Sequence, residues 1–182
     1  MAAEDGAQAR PQASASAAEA LRAFCRNSQA LMRRVASEEG ALPALTALLE
    51  TRRPILAVFS AARCVCIVLG SIVLCSADGA LREGLDACGD LPPRLIPLLE
   101  SRAEDFIAHD TDDTLHAQTL KVCMAMTTNL IRLDRRHAAY VQRAGGKALR
   151  RLASRGSTPE VKERAAHLLS FVKKAAERQQ RA

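Results

Sequence analysis

The amino-acid sequence predicts an all-α protein built from repeated helical units, and three observations support that class. The chain has 182 residues, of which 48% are apolar but only 3% aromatic, so Ala, Leu and Val have to fill the interior. Apolar residues recur at intervals of three and four, the spacing of one helix face. A short Gly-x-Leu-Pro segment occurs twice, as GALP and as GDLP. The same composition disfavours β-sandwiches, β-barrels and aromatic platforms for single-stranded nucleic acid.

The first part of the chain predicts a flexible tail followed by three helices. Residues 1–15 lack apolar periodicity and form the tail. One amphipathic helix is expected from near Ser14 or Ser16 to just before Gly40. A short helix then carries Pro43 in its first turn, where the missing N–H does no harm. A long apolar helix follows from Ile55 to Cys75.

The short helix is then repeated along the chain. The second copy matches the first with one extra residue: Gly89, Leu91, Pro92, Leu95, Leu98, Leu99 and Glu100 repeat Gly40, Leu42, Pro43, Leu45, Leu48, Leu49 and Glu50. Loops are expected at 76–87 and 102–113, and a helix at about Thr114–Leu133. A third copy begins at Gly145 and Gly146 and leads to a long helix capped by Thr158.

These units resemble armadillo repeats. The matching segments are EEGALPALTALLE, its copy ACGDLPPRLIPLLE and RAGGKALRRLAS, each followed by a long helix such as VKERAAHLLSFVKKA. The resemblance covers residues 16–178, in units of about 16–77, 78–133 and 134–178, with a C-terminal tail at 179–182. It implies a right-handed α-solenoid of about three repeats, whose neighbouring units share one continuous core.

The resemblance also implies a binding groove. In armadillo proteins the third helices line a concave groove, where an Asn in the pattern aLsNL holds the main chain of an extended peptide. Asn129 in MTTNL matches that position, whereas Ser71 and Phe171 occupy it in the other units. The candidate groove residues are Asn129, Lys121, Met124, Thr128 and Arg132. The implied function is a non-enzymatic scaffold or adaptor that captures a peptide or partner helix; the alternative for Asn129 is a solvated or capping amide.

Charge is distributed unevenly. The 26 Lys and Arg against 20 Asp and Glu give +6, but residues 1–131 sum to −4 and residues 132–182 to +10. The candidate basic patch is Arg135, Arg136, Arg143, Lys147, Arg150 and Arg151. An alternative function is therefore binding of nucleic acid or an acidic membrane through this surface. The last charges, including Lys162, Arg164, Lys173, Lys174 and Arg178, fit a polar cap on the terminal helix.

The apolar segment 55–75 leads to a second alternative, a membrane-anchored helical protein. Its length approaches that of a bilayer span, and Arg63 is its only charge. A charge in mid-span is costly, however, and the segment lies where a solenoid needs a buried third helix. The core helix is therefore the favoured interpretation.

The six cysteines, Cys25, Cys64, Cys66, Cys75, Cys88 and Cys123, include no CxxC pair. At apolar positions free cysteine is a small core residue, which favours a reducing compartment. The beginning of the chain lacks an early apolar run, so no secretory signal is expected. We expect a cytoplasmic or nuclear protein.

Catalytic and metal-binding motifs fail on inspection. A P-loop around Lys147 would need Gly at Val141 and Ser or Thr at Ala148. The acidic run from Asp110 lacks the Gly and Glu of a calcium loop. The sequence predicts no enzyme, no catalytic residue, no metal and no cofactor. The expected partner is a protein or peptide, and the oligomeric state stays open.

Overall fold

The computed structural model describes residues 13, 16–23, 26, 28–38, 40–74, 90–109, 114–156 and 158–180. Every regular element among them is an α-helix, which confirms the predicted all-α class. The chain divides into two compact units, Met1–Gly89 and Asp90–Ala182. The predicted loop 76–87, and the predicted tail 1–15 apart from residue 13, lie outside the described residues.

The described helices of the first unit form a small bundle. They are α1 (16–23), α2 (Gln29–Ser37), α3 (Ala41–Ala47) and α4 (Ile55–Leu74). α3 packs against α2 and α4, and α2 also contacts α4. Leu42, Leu45 and Leu49 are buried in this core. The predicted short helix and the long apolar helix are therefore both present, and Cys75 lies outside the described residues.

The predicted single helix before Gly40 is wrong, because the chain changes conformation at Ser28. Ser28 is extended, with φ −149° and ψ 116°, and its Oγ accepts a hydrogen bond of 3.3 Å from the Leu31 N–H. Serine competes with helix backbone bonds and is a favoured N-cap. It therefore begins α2 rather than continuing the preceding helix.

Gly40 begins α3 in a conformation that favours glycine. Its φ is +79°, in the left-handed region, and it stands at the N-cap of the helix. Pro43 lies in the first turn as predicted, and its carbonyl accepts a 2.9 Å hydrogen bond from the Thr46 hydroxyl. At the first Gly-x-Leu-Pro segment, Gly40 therefore gives a sharp entry into the short helix α3, whereas the second segment leads into a helix of 19 residues, Leu91–His109.

The second unit contains five described helices. They are α5 (Leu91–His109), α6 (Leu115–Leu133), α7 (Arg136–Ala144), α8 (Gly146–Arg155) and α9 (Pro159–Gln180). α9 packs against α6, α7 and α8, and α5 packs against the same three helices. Leu149 and Leu152 on α8 are fully buried, which confirms the apolar side predicted for that helix.

The loop predicted at 102–113 is wrong for residues 102–109, because α5 continues to His109. Leu99, Arg102, Ala103 and Phe106 are buried at helical spacing and keep this face of the helix in the core. Glu104 and Asp105 therefore lie on a helix rather than in a loop. Residues 110–113 lie outside the described part of the chain.

The helix starts predicted at Thr114 and Thr158 are confirmed. The Thr114 hydroxyl accepts a 3.2 Å hydrogen bond from the Ala117 N–H, and the Thr158 hydroxyl accepts one of 3.4 Å from the Val161 N–H. Each threonine satisfies one of the free N–H groups of its helix. α9 then continues to Gln180, two residues into the predicted tail.

Candidate functional site

A groove of about 630 Å³ lies between α6 and α9 in the second unit. Four of the five residues assigned to a groove from the sequence line it. The α6 wall is Met124, Ala125, Thr128, Asn129 and Arg132, and the α9 wall is Glu163, Arg164, His167 and Leu168. The structure therefore brings most of the predicted residues to one surface.

The fifth predicted residue, Lys121, joins the two helices near the start of α9. Its Nζ donates a 2.9 Å hydrogen bond to a Glu160 carboxylate oxygen, and Arg164 reaches the other oxygen at 2.8 Å. The hydrogen bond from Lys121 lowers the pKa of Glu160. Lys121 thus links α6 to α9 instead of lining the groove.

The groove follows two helices that run in the same direction. Lys121 pairs with Glu160, and the next residues of α6 line the same groove as the next residues of α9. At about 1.5 Å per residue, Met124 and Arg132 at the two ends of the α6 wall are separated by roughly 12 Å along the helix axis. That length matches about four residues of extended peptide at roughly 3.3 Å each.

The floor of the groove is apolar. Met124 is 3% exposed and Leu168 is 2% exposed, so both side chains are held in the core between the helices. The Thr128 hydroxyl donates a 3.1 Å hydrogen bond to the Met124 carbonyl and is engaged within its own helix. On the α6 wall, Asn129 and Arg132 are therefore the side chains available for polar contacts with a ligand.

Asn129 is the half-buried amide of this wall. Within the described part of the chain, neither its N–H groups nor its carbonyl has a hydrogen-bond partner. A primary amide offers two donors and one acceptor. This is the combination that the C=O and N–H of a peptide group require, and it is held beside an apolar floor.

The rim of the groove carries charges of both signs. Arg132, Glu163 and His167 are exposed, and none of them has an ion-pair partner among the residues that the structure describes. A carboxylate on a ligand would match Arg132, and a cation would match Glu163. The rim therefore offers recognition of charge around the apolar floor.

The two sequence counterparts of Asn129 lie in different surroundings. The Ser71 hydroxyl on α4 lies 2.8 Å from the Met32 sulfur and donates a 3.0 Å hydrogen bond to the Ile67 carbonyl. Phe171 is a half-buried aromatic side chain on α9. Neither residue offers a free amide.

The sequence does not predict the α9 wall. Glu163, His167 and Leu168 were not assigned to a site, and Arg164 was assigned to a polar cap. Their spacing of three and four places them on one helix face. That signal shows which residues share a face, but the neighbouring helix that this face meets is decided by tertiary packing.

The predicted basic patch is mostly exposed. Arg135, Arg143, Lys147 and Arg150 lie on the surface of the second unit. Arg136 pairs with Asp134 at 2.7 Å and lowers the pKa of that carboxyl group through its side-chain hydrogen bond. Arg151 pairs with Glu104 of α5 at 3.2 Å. Two members of the patch are therefore held by acidic side chains.

Among the described residues, α4 is the helix long and apolar enough to cross a membrane, with a mean hydropathy of 2.2. Within its most apolar window, 61% of the residues are buried in the protein. The Arg63 guanidinium lies 5.2 Å from the centre of the Phe59 ring. At its polar edge the Ser60 hydroxyl donates a 3.4 Å hydrogen bond to Glu19. These contacts are those of a helix packed in a core.

The described cysteines have structural surroundings. Cys64 and Cys123 are fully buried. Burial raises the pKa of the half-buried Cys66 thiol to about 11, so it is protonated at neutral pH. Cys25, Cys75 and Cys88 lie outside the described residues. Within the described residues no three His, Cys, Asp or Glu side chains are grouped to hold a metal ion.

The fold and the groove together define a class: an all-α protein with an open groove between two helices of its second unit. Comparison with known proteins gives no narrower identity. No family model, no curated protein sequence and no solved structure matches the chain.

Proposed function

We propose that this protein is a non-enzymatic scaffold or adaptor that holds an extended peptide segment of a partner in the groove between α6 and α9. In this proposal the chain is a right-handed α-solenoid of about three armadillo-like units that works in the cytoplasm or nucleus. The observation that carries the proposal is the Asn129 amide, which stands beside an apolar floor without a hydrogen-bond partner among the described residues.

The groove residues make three kinds of contact with the peptide: main-chain hydrogen bonds, apolar packing and an ion pair. Asn129 donates to a carbonyl and accepts from an N–H of the peptide main chain. The half-buried Ala125, with the edges of Met124 and Leu168 beneath it, provides the apolar surface against which an apolar side chain of the peptide packs. Arg132 pairs with an acidic side chain of the peptide near the far end of the groove.

An extended peptide suits this arrangement better than a partner helix. The main-chain N–H and C=O groups within a helix are already paired with each other. A helix would therefore leave the Asn129 amide without a main-chain partner. With a diameter of about 10 Å, it would also contact the rim of the groove rather than the floor. An extended peptide presents free main-chain groups every few ångströms.

The proposal is tested by selecting binders from a random peptide library displayed on phage, with the full chain as bait. Selected peptides are then synthesised and their affinity is measured by fluorescence anisotropy. We expect the double variant Asn129→Ala, Arg132→Ala to bind them about 100-fold more weakly, because it loses an amide pair and a charge-assisted hydrogen bond.

The matched control removes one amide and one guanidinium group that lie outside the groove. Gln118 on α6 and Arg178 on α9 are exposed and do not line it. The variant Gln118→Ala, Arg178→Ala should bind the selected peptides as the natural chain does. Equal affinity of all three proteins for every selected peptide would overturn the groove as the peptide site, as would a library that yields no binder.

A further inference from the structure

The outer face of α8 forms a second charged surface, separate from the residues that line the groove. α8 is amphipathic: Ala148, Leu149 and Leu152 are buried on its inner side. The outer side carries what we call the cationic face, composed of Lys147, Arg150, Arg151 and Arg155. Arg150, Arg151 and Arg155 lie three, four and eight positions after Lys147. The four side chains therefore extend over neighbouring turns on one side of the helix.

This face has little local compensation by negative charge. The sequence from Arg135 to Pro159 contains seven Lys and Arg and no Asp or Glu. Arg151 is paired with Glu104 of α5 at 3.2 Å and is thereby held in place. Lys147, Arg150 and Arg155 have no ion pair within the described parts of the chain. Repulsion between these like charges is relieved when a polyanion binds.

We propose that the cationic face binds the phosphate backbone of duplex nucleic acid without regard to base sequence. From Lys147 to Arg155 the helix advances roughly 12 Å at about 1.5 Å per residue. A duplex carries one negative charge per about 1.7 Å of its axis, so about seven phosphate charges lie along that length. The phosphate charges along that length therefore outnumber the four cations of the face. Binding of these cations to phosphates releases counterions from the duplex.

The side chains around the face favour a phosphate backbone over a lipid surface. A helix that lies on a membrane inserts exposed apolar or aromatic side chains. The large apolar residues found exposed in the described chain are Leu31, Leu56 and Leu74, all in the first unit. On α8 itself, the exposed side chain between these cations is that of Ser154, a polar residue whose hydroxyl donates to the Arg150 and Arg151 carbonyls.

A duplex is also favoured over a single strand. Proteins that hold single strands stack the bases on aromatic side chains in a positively charged groove. The cationic face contains no aromatic residue, and it is the outer side of a helix. Cations on such a surface reach phosphates from outside and do not contact bases, so the binding is independent of sequence.

The experiment is a titration of the full chain into fluorescein-labelled DNA and RNA duplexes of about 20 base pairs, in two unrelated sequences. With four phosphate contacts, the logarithm of affinity should fall with the logarithm of salt concentration with a slope of about −3.6. Affinity should therefore drop about 100-fold between 50 mM and 200 mM salt, and the two sequences should bind equally.

The variant Lys147→Ala, Arg150→Ala should reduce the magnitude of the salt slope by about two. Alanine has the highest helix propensity, so these exposed substitutions preserve α8, which circular dichroism checks. The matched control Lys174→Ala, Arg178→Ala removes two exposed cations of α9 and should leave the slope unchanged. Its residues contribute the same net charge but lie outside the cationic face.

Three results would overturn the inference. The first is the absence of duplex binding at 50 mM salt. The second is an equal change of slope in both double variants, which would assign binding to net charge alone. The third is tight binding to phosphatidylserine vesicles together with weak binding to duplexes, which would assign the face to a membrane. Peptide binding in the groove is measured separately, so failure of the one proposal does not mask the other.

Discussion

The two compact units differ in how they satisfy the polar groups of their long helices. On α4 of the first unit, Ser71 is engaged with Met32 and Ile67, and Ser60 donates to Glu19. On α6 of the second unit, Asn129 has no partner among the described residues. A polar group satisfied within its own unit contributes to stability, whereas one held without a partner is available to a ligand. The difference favours the second unit as the place of the proposed peptide binding.

The repeated glycines show a second difference. Gly40 has φ +79° and nothing lies within 4 Å of the place where a Cβ would stand. Gly145 has φ −91°, and a Cβ there would lie 3.4 Å from the Ile96 side chain. The first glycine is required by backbone conformation, and the second allows a close approach of α5. One repeated residue type therefore serves two physical purposes.

The largest effect is expected at Arg102, which anchors α5 to α6. Its side chain is 7% exposed, lies 3.1 Å from Asp105 and hydrogen-bonds the Nδ1 of His116. Replacing Arg102 with Ala should lower the free energy of unfolding by about 2–3 kcal/mol, because charge-assisted bonds and the packing of the aliphatic stem are lost. Urea denaturation measures the change.

The control for Arg102 is Arg151→Ala, which removes an arginine from a more exposed ion pair. Both partners of that pair, Arg151 and Glu104, are more than a third exposed. Its loss should change the free energy of unfolding by about 0.5 kcal/mol or less. Equal effects of the two substitutions would show that burial does not distinguish these arginines.

The sequence predicted the helices best where one residue controls a helix end. Thr158 caps its helix as predicted, and the helix predicted from about Thr114 begins there with the Thr114 hydroxyl as its cap, since a hydroxyl at that position has one clear local role. The prediction failed at Ser28, where a serine lay within an apolar stripe, and at 102–109, where a repeat longer than an armadillo unit predicted a loop. A local cap at Ser28 begins a new helix, and the buried face of α5 keeps 102–109 helical.

The candidate site was predicted on one side only. Asn129 and Arg132 were assigned through the armadillo resemblance, and both line the groove. Glu163 and His167 were not assigned, because the sequence does not state which helix lies opposite α6. Lys121 was placed on the correct helix, but its pairing with Glu160 depends on a residue 39 positions away. Helical spacing shows which residues share one face of a helix, whereas this site is formed by the facing surfaces of two helices.

The glycine comparison is sharpened by substituting each residue with Ala. Gly40→Ala should lower the free energy of unfolding by about 1–2 kcal/mol, because a Cβ is strained in the left-handed region. Gly145→Ala should change it by less than about 0.5 kcal/mol, because the lost freedom of the unfolded chain offsets the tighter contact with Ile96. Thermal and urea denaturation measure both. A larger loss at Gly145 than at Gly40 would reverse the assignment of their roles.

The smallest effect separates Ser71 from Asn129 without any ligand. Asn129→Ala loses no hydrogen bond to a described residue and gains helix propensity, so the free energy of unfolding should rise by about 0.5 kcal/mol. Ser71→Ala gains similar helix propensity but loses the hydrogen bond to the Ile67 carbonyl and the contact with Met32. Its free energy of unfolding should therefore fall by about 0.5 kcal/mol. Urea denaturation of both variants measures the two signs. A loss of 1 kcal/mol or more for Asn129→Ala would make that amide a structural group of α6, and Arg132 alone would then remain as the polar group of the α6 wall available to a peptide.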